Sequence, residues 1–275
     1  MCLILFAHHA HPDFALVLAA NRDEFFARPT SAADYWKDAP GVLGGRDLEK
    51  GGTWMGVTRE GRWSAVTNYR DGTRPKPASR SRGELVATFL TSATNAREYA
   101  EGVARIATEY PGFNLLTADG QGLHYVSHAE GASRLVEPGI HGLSNHMLDT
   151  AWPKVERGKQ RLQALLATNE SNLEDRLLAV LADRELADDH LLPQTGIGRE
   201  WEKPLSASFI VVPGYGTRAS SVLLIGRDGE VSFRERTFGE NGSLLEDRMF
   251  RFCHSLLEPP ENSVRTRTTA TTLRR

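Results

Sequence analysis

The chain has 275 residues, of which 40% are hydrophobic and 25% are charged, and its formal net charge is −2. This composition is typical of a globular protein with a sizeable core, and the near-neutral charge gives no reason to expect a nucleic-acid partner. The two cysteines, Cys2 and Cys253, exclude a disulfide framework and indicate a reducing compartment. No stretch approaches the ~20 apolar residues of a membrane span, so we expect a cytoplasmic protein without a transmembrane segment.

The first thirty residues contain two apolar runs around a turn with Pro12 and Asp13. This pattern predicts a β-hairpin, in which a turn at this place pairs residues whose numbers sum to roughly 23. Cys2 is therefore expected opposite the step from Asn21 to Arg22. Because opposed residues in an antiparallel pair have Cβ atoms about 4.5–5.5 Å apart, we expect the thiol within reach of a guanidinium and the two carboxylates that follow it.

A cysteine at position 2 becomes the first residue once Met1 is removed, which is expected before a small residue. Cys2 then carries a thiol beside a free α-amine, with ordinary pKa values of about 8.5 and 7.7–8.0. The amine can accept the proton of the thiol near neutral pH, so one residue supplies both nucleophile and general base. A nearby Arg22 would favour the thiolate. The alternative is a buried structural cysteine, since free Cys is among the most buried residue types.

Turn signals and apolar spacing predict the later elements. Residues 29–52 are rich in turn formers and predict a loop with one helical turn at most. Ser81, with Glu84 three residues further on, predicts a helix cap before an apolar helical face. The predicted elements, in chain order, are strands 53–58 and 62–68, helices 81–90 and 95–110, strands 114–117, 123–127, 133–137 and 142–145, helices 152–167 and 173–181, strands 206–212, 219–225 and 231–238, and a short helix 242–257 that holds Cys253 in its core.

Runs of strands alternate with pairs of helices along this chain, which favours an α+β fold with mostly antiparallel sheets and helices on their outer faces. Two such sheets packed face to face would form a four-layered α-β-β-α sandwich, and a single sheet fits the same order of elements. No linker or internal repeat is visible, so residues 1–260 are expected to form one domain. Residues 261–275 are rich in Arg and Thr and are expected to be a disordered tail.

Several short motifs in this sequence resemble those of the NRDE-domain family, which is named for the first of them. Animal members of that family are called transport and Golgi organisation proteins, and the resemblance covers nearly the whole ordered chain. It implies links to haem trafficking and to acyl-CoA or lipid metabolism, without an agreed reaction. The motifs are Asn21-Arg22-Asp23-Glu24, Gly51-Gly52-Thr53-Trp54, Thr67-Asn68-Tyr69-Arg70, Ser81-Arg82-Gly83, Leu143-Ser144-Asn145, Trp152-Pro153-Lys154 and Tyr215-Gly216-Thr217-Arg218.

A more distant likeness is to N-terminal-nucleophile hydrolases of the bile-salt-hydrolase and penicillin-V-acylase type. Those enzymes begin with Cys after a removed Met and use an Arg, an Asp, two Asn and a late Arg. The matching positions here, in the same order, are Cys2, Arg22, Asp23, Asn68, Asn145 and Arg218. The match departs at one point: in the hydrolases the acid follows the arginine by three residues, whereas here Asp23 follows at once and Phe25 stands in the third place.

This likeness implies a role for each position. Cys2 would attack a carbonyl carbon, while Arg22 holds the thiolate and Asp23 orients the α-amine. Asn68 and Asn145 would donate N–H groups to the oxyanion, the amine or the substrate, and one oxyanion donor is typically worth ~2.7–4 kcal/mol. The late arginine would stabilise the second asparagine or bind an acid group of the substrate. The candidate binding residues around them are Trp54, Tyr69, Arg70 and His146.

The same residues have structural interpretations, which the sequence leaves open. Asn commonly caps a strand or forms an Asx turn after an apolar run, and an Arg beside an Asp fits an ordinary surface pair. A separate candidate is the turn with His8, His9 and His11, because imidazole suits Zn, Cu or a haem axial position. A solvated turn is the favoured explanation of these histidines, since no further ligand except Asp13 stands nearby at a fixed spacing.

The leading interpretation is a hydrolase or acyl-transfer enzyme with an N-terminal cysteine nucleophile, acting on an amide or thioester with an apolar acyl chain such as an acyl-CoA. Such an enzyme needs no cofactor. The alternative is a non-catalytic protein that binds haem, acyl-CoA or lipid, and a scaffold that acts through the Arg-rich tail is a third interpretation. In the first two the partner is a small molecule and not a nucleic acid, and the sequence does not determine the oligomeric state.

Overall fold

Two antiparallel β-sheets pack face to face in the computed structural model, which describes residues 2–72, 80–168 and 172–254. The first sheet contains β1 (Cys2–His8), β2 (Phe14–Phe25), β10 (Gly139–Leu143), β11 (Val211–Val212), β12 (Tyr215–Gly226), β13 (Glu230–Phe238) and β14 (Leu244–Cys253). The second contains β3 (Thr30–Tyr35), β4 (Val42–Asp47), β5 (Met55–Thr58), β6 (Trp63–Asn68), β7 (Phe113–Asp119), β8 (Gly122–Ser127) and β9 (Ser133–Leu135).

The strand order places the N-terminal hairpin in the middle of the first sheet. That order is β10-β1-β2-β12-β13-β14, with β11 paired to β12, and the second sheet runs from β3 to β9 in chain order. β2 and β12 have twelve residues each and are hydrogen-bonded to one another over most of their length. β1 is therefore an interior strand, paired with β2 from Cys2 onward and with β10 from Ile4 onward.

Helices cover the outer face of each sheet. α1 (Arg82–Thr91) and α2 (Ala96–Arg105) lie on the second sheet, whereas α3 (Pro153–Leu166) and α4 (Leu173–Leu181) lie on the first. A four-residue helix, α5 (Arg199–Glu202), lies in the connection before β11. Within the described ranges, no helix is long and apolar enough to cross a membrane.

Three apolar clusters fill the spaces between these four layers. Phe6 and Tyr125 belong to the cluster between the two sheets. Leu5 lies with residues of α3 and α4 beneath the first sheet, and Phe89 of α1 lies with residues of the second sheet. Successive residues of β1 thus alternate between two cores, as a strand buried on both faces requires. The four-layered α-β-β-α class predicted from the order of elements is confirmed.

The register of the first hairpin is within one residue of the prediction. Cys2 pairs with Arg22 and Leu3 pairs with Asn21, so the numbers of paired residues sum to 24 (2 + 22). His9, in the turn, has a φ of 48°, a left-handed conformation that closes the hairpin. The expectation that the second residue of the chain faces the step from Asn21 to Arg22 is confirmed.

Two element predictions were wrong, and a third, the strand 206–212, holds only for Val211–Val212. Residues 29–52 contain the strands β3 and β4, and residues 244–253 form the strand β14 instead of a helix. In β14, Phe250 and Phe252 alternate with charged residues and pack against the core between the sheets, which is strand periodicity. Cys253 is consequently exposed and does not belong to a helix core. The predicted tail of residues 261–275 lies outside the described residues.

Candidate active site

Strand register brings two predicted site residues together in the first sheet. Cys2 at the start of β1 is paired with Arg22 of β2. On the other side of β1, Ile4 pairs with Leu143 at the end of β10, and Asn145 follows two residues beyond that strand. The backbone thus places an arginine opposite the second residue of the chain and an asparagine in the segment that follows the neighbouring strand.

Arg22 lies at the junction of the two sheets. Its guanidinium carbon is 4.3 Å from the centre of the Trp54 ring, which precedes β5 of the second sheet. The Nη2 atom of Arg22 is 3.8 Å from Oε2 of Glu24, two residues further along β2. Stacking on an indole and pairing with a carboxylate both keep the cation in place. Arg22 is therefore a fixed positive charge beside the start of β1.

A polar cleft opens at this junction, with a volume of about 100 Å³. The first sheet contributes Arg22 and Glu24, whereas the second contributes Trp54 and Asn68. The carboxamide of Asn68 has no hydrogen-bond partner among the described residues, because the contact at this position uses its backbone carbonyl. Asn68 therefore has N–H groups available for a ligand. The cleft also includes Asp23, Arg28, Asp47, Thr53, Val66, Ser81, Arg82 and Gly83.

The N-terminus of α1 forms one wall of the cleft through a close contact between glycines. A Cβ atom on Gly52 would lie 2.4 Å from the backbone carbon of Gly83, and the backbone N–H of Thr53 donates to the carbonyl of Gly83 at 3.1 Å. Ser81 occupies the N-cap position, as predicted, but its side chain makes no capping hydrogen bond. The wall is thus set by backbone contact between the two motifs that contain these glycines.

Asn145 is fully buried and is held by a network of hydrogen bonds. Its Nδ2 donates to the backbone carbonyl of Asn68 at 3.0 Å, and its Oδ1 accepts from Nη2 of Arg70 at 3.2 Å. Arg70 in turn donates to Glu202 of α5 at 2.6 Å. Burial lowers the pKa of the Arg70 guanidinium, and the carboxylate of Glu202 opposes that effect. Asn145 thus connects the end of β6 to a buried ion pair.

The remaining predicted binding residues form an aromatic row beside this network. Tyr69 and His146 have ring centres 5.2 Å apart, and His146 is 5.9 Å from Trp152. The guanidinium of Arg70 lies 4.9 Å from the Trp152 ring. Burial lowers the pKa of the His146 imidazole, so this side chain is neutral at pH 7. The structure therefore brings together Tyr69, Arg70 and His146, whereas Trp54 packs on Arg22.

Asp23 is almost fully buried beneath α3. Its Oδ1 accepts a hydrogen bond from the hydroxyl of Thr217 at 2.7 Å, because β12 pairs Thr217 with Asp23. Burial raises the pKa of the Asp23 carboxyl, while the ammonium of Lys154 in α3 acts in the opposite direction. Lys154 is itself only 1% exposed. A buried cation thus lies close enough to Asp23 to favour its ionised form.

Arg218 lies at a β-bulge in β12, where the pairing with β2 shifts between Thr217 and Ala219. Its Nη1 donates to the backbone carbonyls of Phe25 at 2.8 Å and Arg28 at 3.1 Å. Bulges commonly redirect a side chain in this way. Arg218 therefore holds the segment that leaves β2, and the predicted contact with Asn145 is made by Arg70 instead.

The three histidines of the first turn do not form a cluster that would bind a metal. His8 and His9 have ring centres 4.4 Å apart, while the Nδ1 of His11 accepts from the backbone N–H of Asp13. Burial, together with the neighbouring histidines, lowers the pKa of His8 to about 4. Across the ranges 2–72, 80–168 and 172–254, no three His, Cys, Asp or Glu side chains are arranged to hold a metal ion.

Comparisons with known proteins identify the family. Residues 1–240 match the family model described as "Transport and Golgi organisation 2". This chain belongs to that family. The Homo sapiens Transport and Golgi organization protein 2 homolog is 36% identical over 92% of this chain and 99% of its own length. The Bos taurus homolog is 38% identical over 86% of this chain and 93% of its own length.

Relatives and solved structures extend beyond mammals. Transport and Golgi organization protein 2 of Drosophila melanogaster is 29% identical over 86% of this chain and 92% of its own length. A solved structure of the Caenorhabditis elegans ortholog of N-acylethanolamine-hydrolyzing acid amidase superposes with a TM-score of 0.48 at 10% identity. It covers 81% of this chain and 92% of that one. The family match therefore rests on the sequence relatives.

Sequence reasoning missed three members of the site. Glu202 was not singled out, and Thr217 and Lys154 were noted only within family motifs. Glu202 comes from a segment predicted to be loop, so nothing local indicated that its carboxylate is buried. Thr217 directly precedes the singled-out arginine in a motif of this family, and strand alternation there would have placed it beside Asp23.

Proposed function

We propose that this member of the Transport and Golgi organisation 2 family is an N-terminal cysteine nucleophile enzyme. It hydrolyses or transfers the acyl group of an amide or thioester with an apolar acyl chain, of which an acyl-CoA is one example. The observation that supports the proposal is the strand register, which pairs Cys2 with Arg22 at one end of a central strand, with Asn145 two residues beyond the end of the neighbouring strand β10. The proposal includes removal of Met1 and a cytoplasmic location.

The proposed reaction begins when the α-amino group of Cys2 takes the proton of its own thiol. The sulfur attacks the carbonyl carbon, and the resulting oxyanion is stabilised by the free carboxamide of Asn68. The C–N or C–S bond of the substrate then breaks, and the leaving amine or thiol takes the proton from the α-ammonium group. Water attacks the acyl-cysteine, the amine accepts its proton, and the acid and the thiol are released.

Arg22 and Asn145 have supporting roles in this reaction. Arg22 is held by Trp54 and Glu24, so it supplies a fixed positive charge that favours a thiolate at its neighbour. Asn145 donates to the backbone carbonyl of Asn68 and therefore orients the end of β6, from which the oxyanion donor projects. We assign Asn145 as a positioning residue, whereas Asn68 contacts the substrate.

The size of the cleft limits what it can contain. A volume of about 100 Å³ is well below the roughly 300–1,000 Å³ of pockets that enclose a whole ligand. The cleft fits the reacting carbonyl and the atoms next to it, so most of the apolar chain lies elsewhere on the protein. We therefore expect turnover to depend weakly on acyl-chain length and strongly on the group beside the carbonyl.

The test measures the N-terminus and the activity of the same preparation. Intact-mass analysis should show a chain that begins at Cys2, and p-nitroanilide and thioester substrates with acyl chains of different length should be hydrolysed. Iodoacetamide should abolish turnover in proportion to labelling of Cys2. The turnover rate of Cys2→Ala should be at least a thousandfold lower than that of the wild type, as expected when a nucleophile is lost.

Cys253→Ala is the matched control, because it removes the exposed second thiol without touching the cleft. It should retain full turnover and full sensitivity to iodoacetamide. Retention of Met1 in active protein, or activity in Cys2→Ala equal to that of the wild type, would contradict the proposal.

A second candidate function is binding of haem, acyl-CoA or lipid without chemistry. The observation that favours it is the aromatic row of Tyr69, His146 and Trp152, in which the imidazole is neutral and only half-buried. A neutral imidazole is a good ligand for haem iron. Titration with haem would then shift the Soret band in the wild type and in Cys2→Ala but not in His146→Ala. An unchanged shift in His146→Ala excludes this assignment.

A further inference from the structure

β14 is an outer strand of the first sheet. It pairs with β13 on one side, and the described residues place no strand on the other. The strand has ten residues, and Leu245 and Met249 on it are 65% and 45% exposed. An exposed edge of this length presents a row of backbone N–H and C=O groups that can pair with another strand. Most natural edges are shorter or are covered.

We propose that β14 pairs antiparallel with β14 of a second copy of this chain, across a two-fold axis beside Met249. The first sheets of the two copies then form one continuous sheet. The partner is a second copy because opposite charges face each other when this strand is paired antiparallel with a copy of itself.

Backbone geometry allows few registers for such a dimer. Along a strand, the N–H and C=O groups of alternate residues point to opposite edges. In a two-fold pair, residues that point outward must meet the equivalent residues of the other copy, so opposed residues have numbers of the same parity. The axis must therefore pass beside a residue that lies opposite itself. Only the registers centred on Asp247, Arg248, Met249 or Phe250 keep most of the strand paired.

Charge selects one of the four registers. Centring on Asp247 would set two carboxylates opposite each other and centring on Arg248 two guanidinium groups, and like charges directly opposed are destabilising. Centring on Phe250 would oppose Asp247 to Cys253 and Arg251 to Met249, so neither charge would face an opposite one. Centring on Met249 opposes Asp247 to Arg251 twice, once on each side of the axis. It also opposes two methionines, and it sets Leu245 opposite Cys253.

The side chains on this face are already in place for such a pair. Asp247 accepts from the guanidinium groups of Arg234 and Arg236 at 2.8 Å, and Arg251 lies 3.1 Å from Glu174. These contacts hold both side chains on the outer face of the sheet. A partner strand would extend an existing charge network. Because two ten-residue strands bury less area than a standard interface, we expect a dissociation constant on the order of micromolar.

The native Cys253 provides a test of the register. Leu245→Cys would set a new thiol directly opposite Cys253 of the other copy, within the range that a disulfide can bridge. Mild oxidation should then convert the variant to a covalent dimer that reducing agent dissolves. Leu245→Cys with Cys253→Ser is the matched control. Its thiols would lie eight residues apart along the strand, roughly 27 Å, so it should remain unlinked.

Sedimentation measures the same dimer without cross-linking. The wild type should show a dimer fraction that grows with protein concentration between about 1 and 100 μM, because the size of the interface predicts a dissociation constant on the order of micromolar. Met249→Lys sets two ammonium groups opposite each other at the axis and should raise the dissociation constant at least tenfold, with an unchanged circular dichroism spectrum. A monomer at every concentration overturns the proposal, and so does equal cross-linking of Leu245→Cys with and without Cys253.

Discussion

The carboxyl group of Glu235 lies between the two sheets, where the side chain is almost fully buried. Its Oε1 accepts from the backbone N–H of Ala33 at 2.7 Å and its Oε2 from the hydroxyl of Ser221 at 3.0 Å. Burial raises the pKa of Glu235 to about 7, although both hydrogen bonds act against that rise. One carboxyl group thus connects the first sheet to the irregular edge strand β3 of the second.

The raised pKa of Glu235 makes stability depend on pH. The native state holds a proton between the unfolded value of about 4.5 and the native value of about 7. The stability from this proton is therefore complete below pH 4.5 and is lost as pH rises through 7. Glu235→Gln does not ionise; its Oε1 can still accept from the N–H of Ala33, and its Nε2 can donate to the hydroxyl of Ser221. At pH 8 it should therefore exceed the wild type by about 3 kcal/mol in unfolding free energy.

Urea unfolding at pH 5 and pH 8 measures this difference. The gain of Glu235→Gln over the wild type should shrink at pH 5, where most of the native protein is already protonated. Glu230→Gln, which removes an exposed carboxylate on the same strand, should follow the wild type at both values. A gain of equal size at both pH values would show that ionisation is not its cause.

Lys154 offers a prediction about the buried charge beside Asp23. Lys154→Met removes the ammonium that favours ionised Asp23 but retains much of the buried chain. Breaking a buried charge interaction on one side typically costs 3–5 kcal/mol, so we expect a loss of about 3 kcal/mol at pH 7. The loss should decrease as pH falls, because burial raises the pKa of Asp23 and a protonated carboxyl no longer needs the ammonium. The double variant Lys154→Met with Asp23→Asn should recover stability, and simple additivity of the two losses would exclude coupling.

At the residue scale, the sequence predicted those positions that strand register alone determines. The pairing of Cys2 with Arg22 followed from two apolar runs and a turn. Once the turn is placed, antiparallel pairing determines the partner of each residue in the hairpin. The contact between Asn145 and Asn68 crosses from one sheet to the other. It depends on how the two sheets dock, which no local pattern contains. Arg70 and Glu202 were missed as a pair for the same reason.

At the scale of elements, the contact between Gly52 and Gly83 determines where α1 begins. A methyl group on Gly52 would lie within 3 Å of three backbone atoms of residues 83 and 84, so the N-terminus of α1 must move away. Because this end lines the cleft, Gly52→Ala should lower turnover of the proposed reaction. Overpacking of this kind typically costs about 1–3 kcal/mol, which thermal unfolding should show.

Gly41→Ala is the control for this substitution, since nothing lies within 4 Å of a Cβ atom at that position. It should change neither turnover nor stability appreciably. An active and fully stable Gly52→Ala would mean that α1 can shift without affecting the cleft.

Glycine also explains why β4 was mistaken for a loop. Gly44 and Gly45 read as chain breakers in the sequence, yet both lie within β4. A Cβ atom on Gly45 would lie 2.3 Å from the ring of Trp54, so this glycine gives space for the indole that packs on Arg22. Glycine is needed at this position for a tertiary contact and not for a turn. Propensity alone cannot distinguish the two uses of glycine.

At the scale of the whole molecule, the layer order was predictable because helix pairs and strand runs alternate along the chain. The choice between one sheet and two was not, because both give the same order of elements. What decides it is the cluster between the sheets, in which Phe6 of the first sheet and Tyr125 of the second are both buried. Such contacts join residues more than a hundred positions apart.

The cleft draws its lining from both halves of the sandwich, and this has a thermodynamic consequence. A compound that occupies the cleft contacts both sheets, so its binding free energy adds to the stability of the folded protein. The proposed reaction cannot occur in Cys2→Ala, so a compound would bind this variant without being consumed. At a hundred times its dissociation constant, the compound should raise the melting temperature of the variant by roughly 5–10 °C. Scanning fluorimetry of an acyl-compound library against this variant would then rank candidate substrates before any catalytic assay exists. If the wild type hydrolyses a compound that leaves the melting temperature of Cys2→Ala unchanged, that compound does not bind in the cleft between the two sheets.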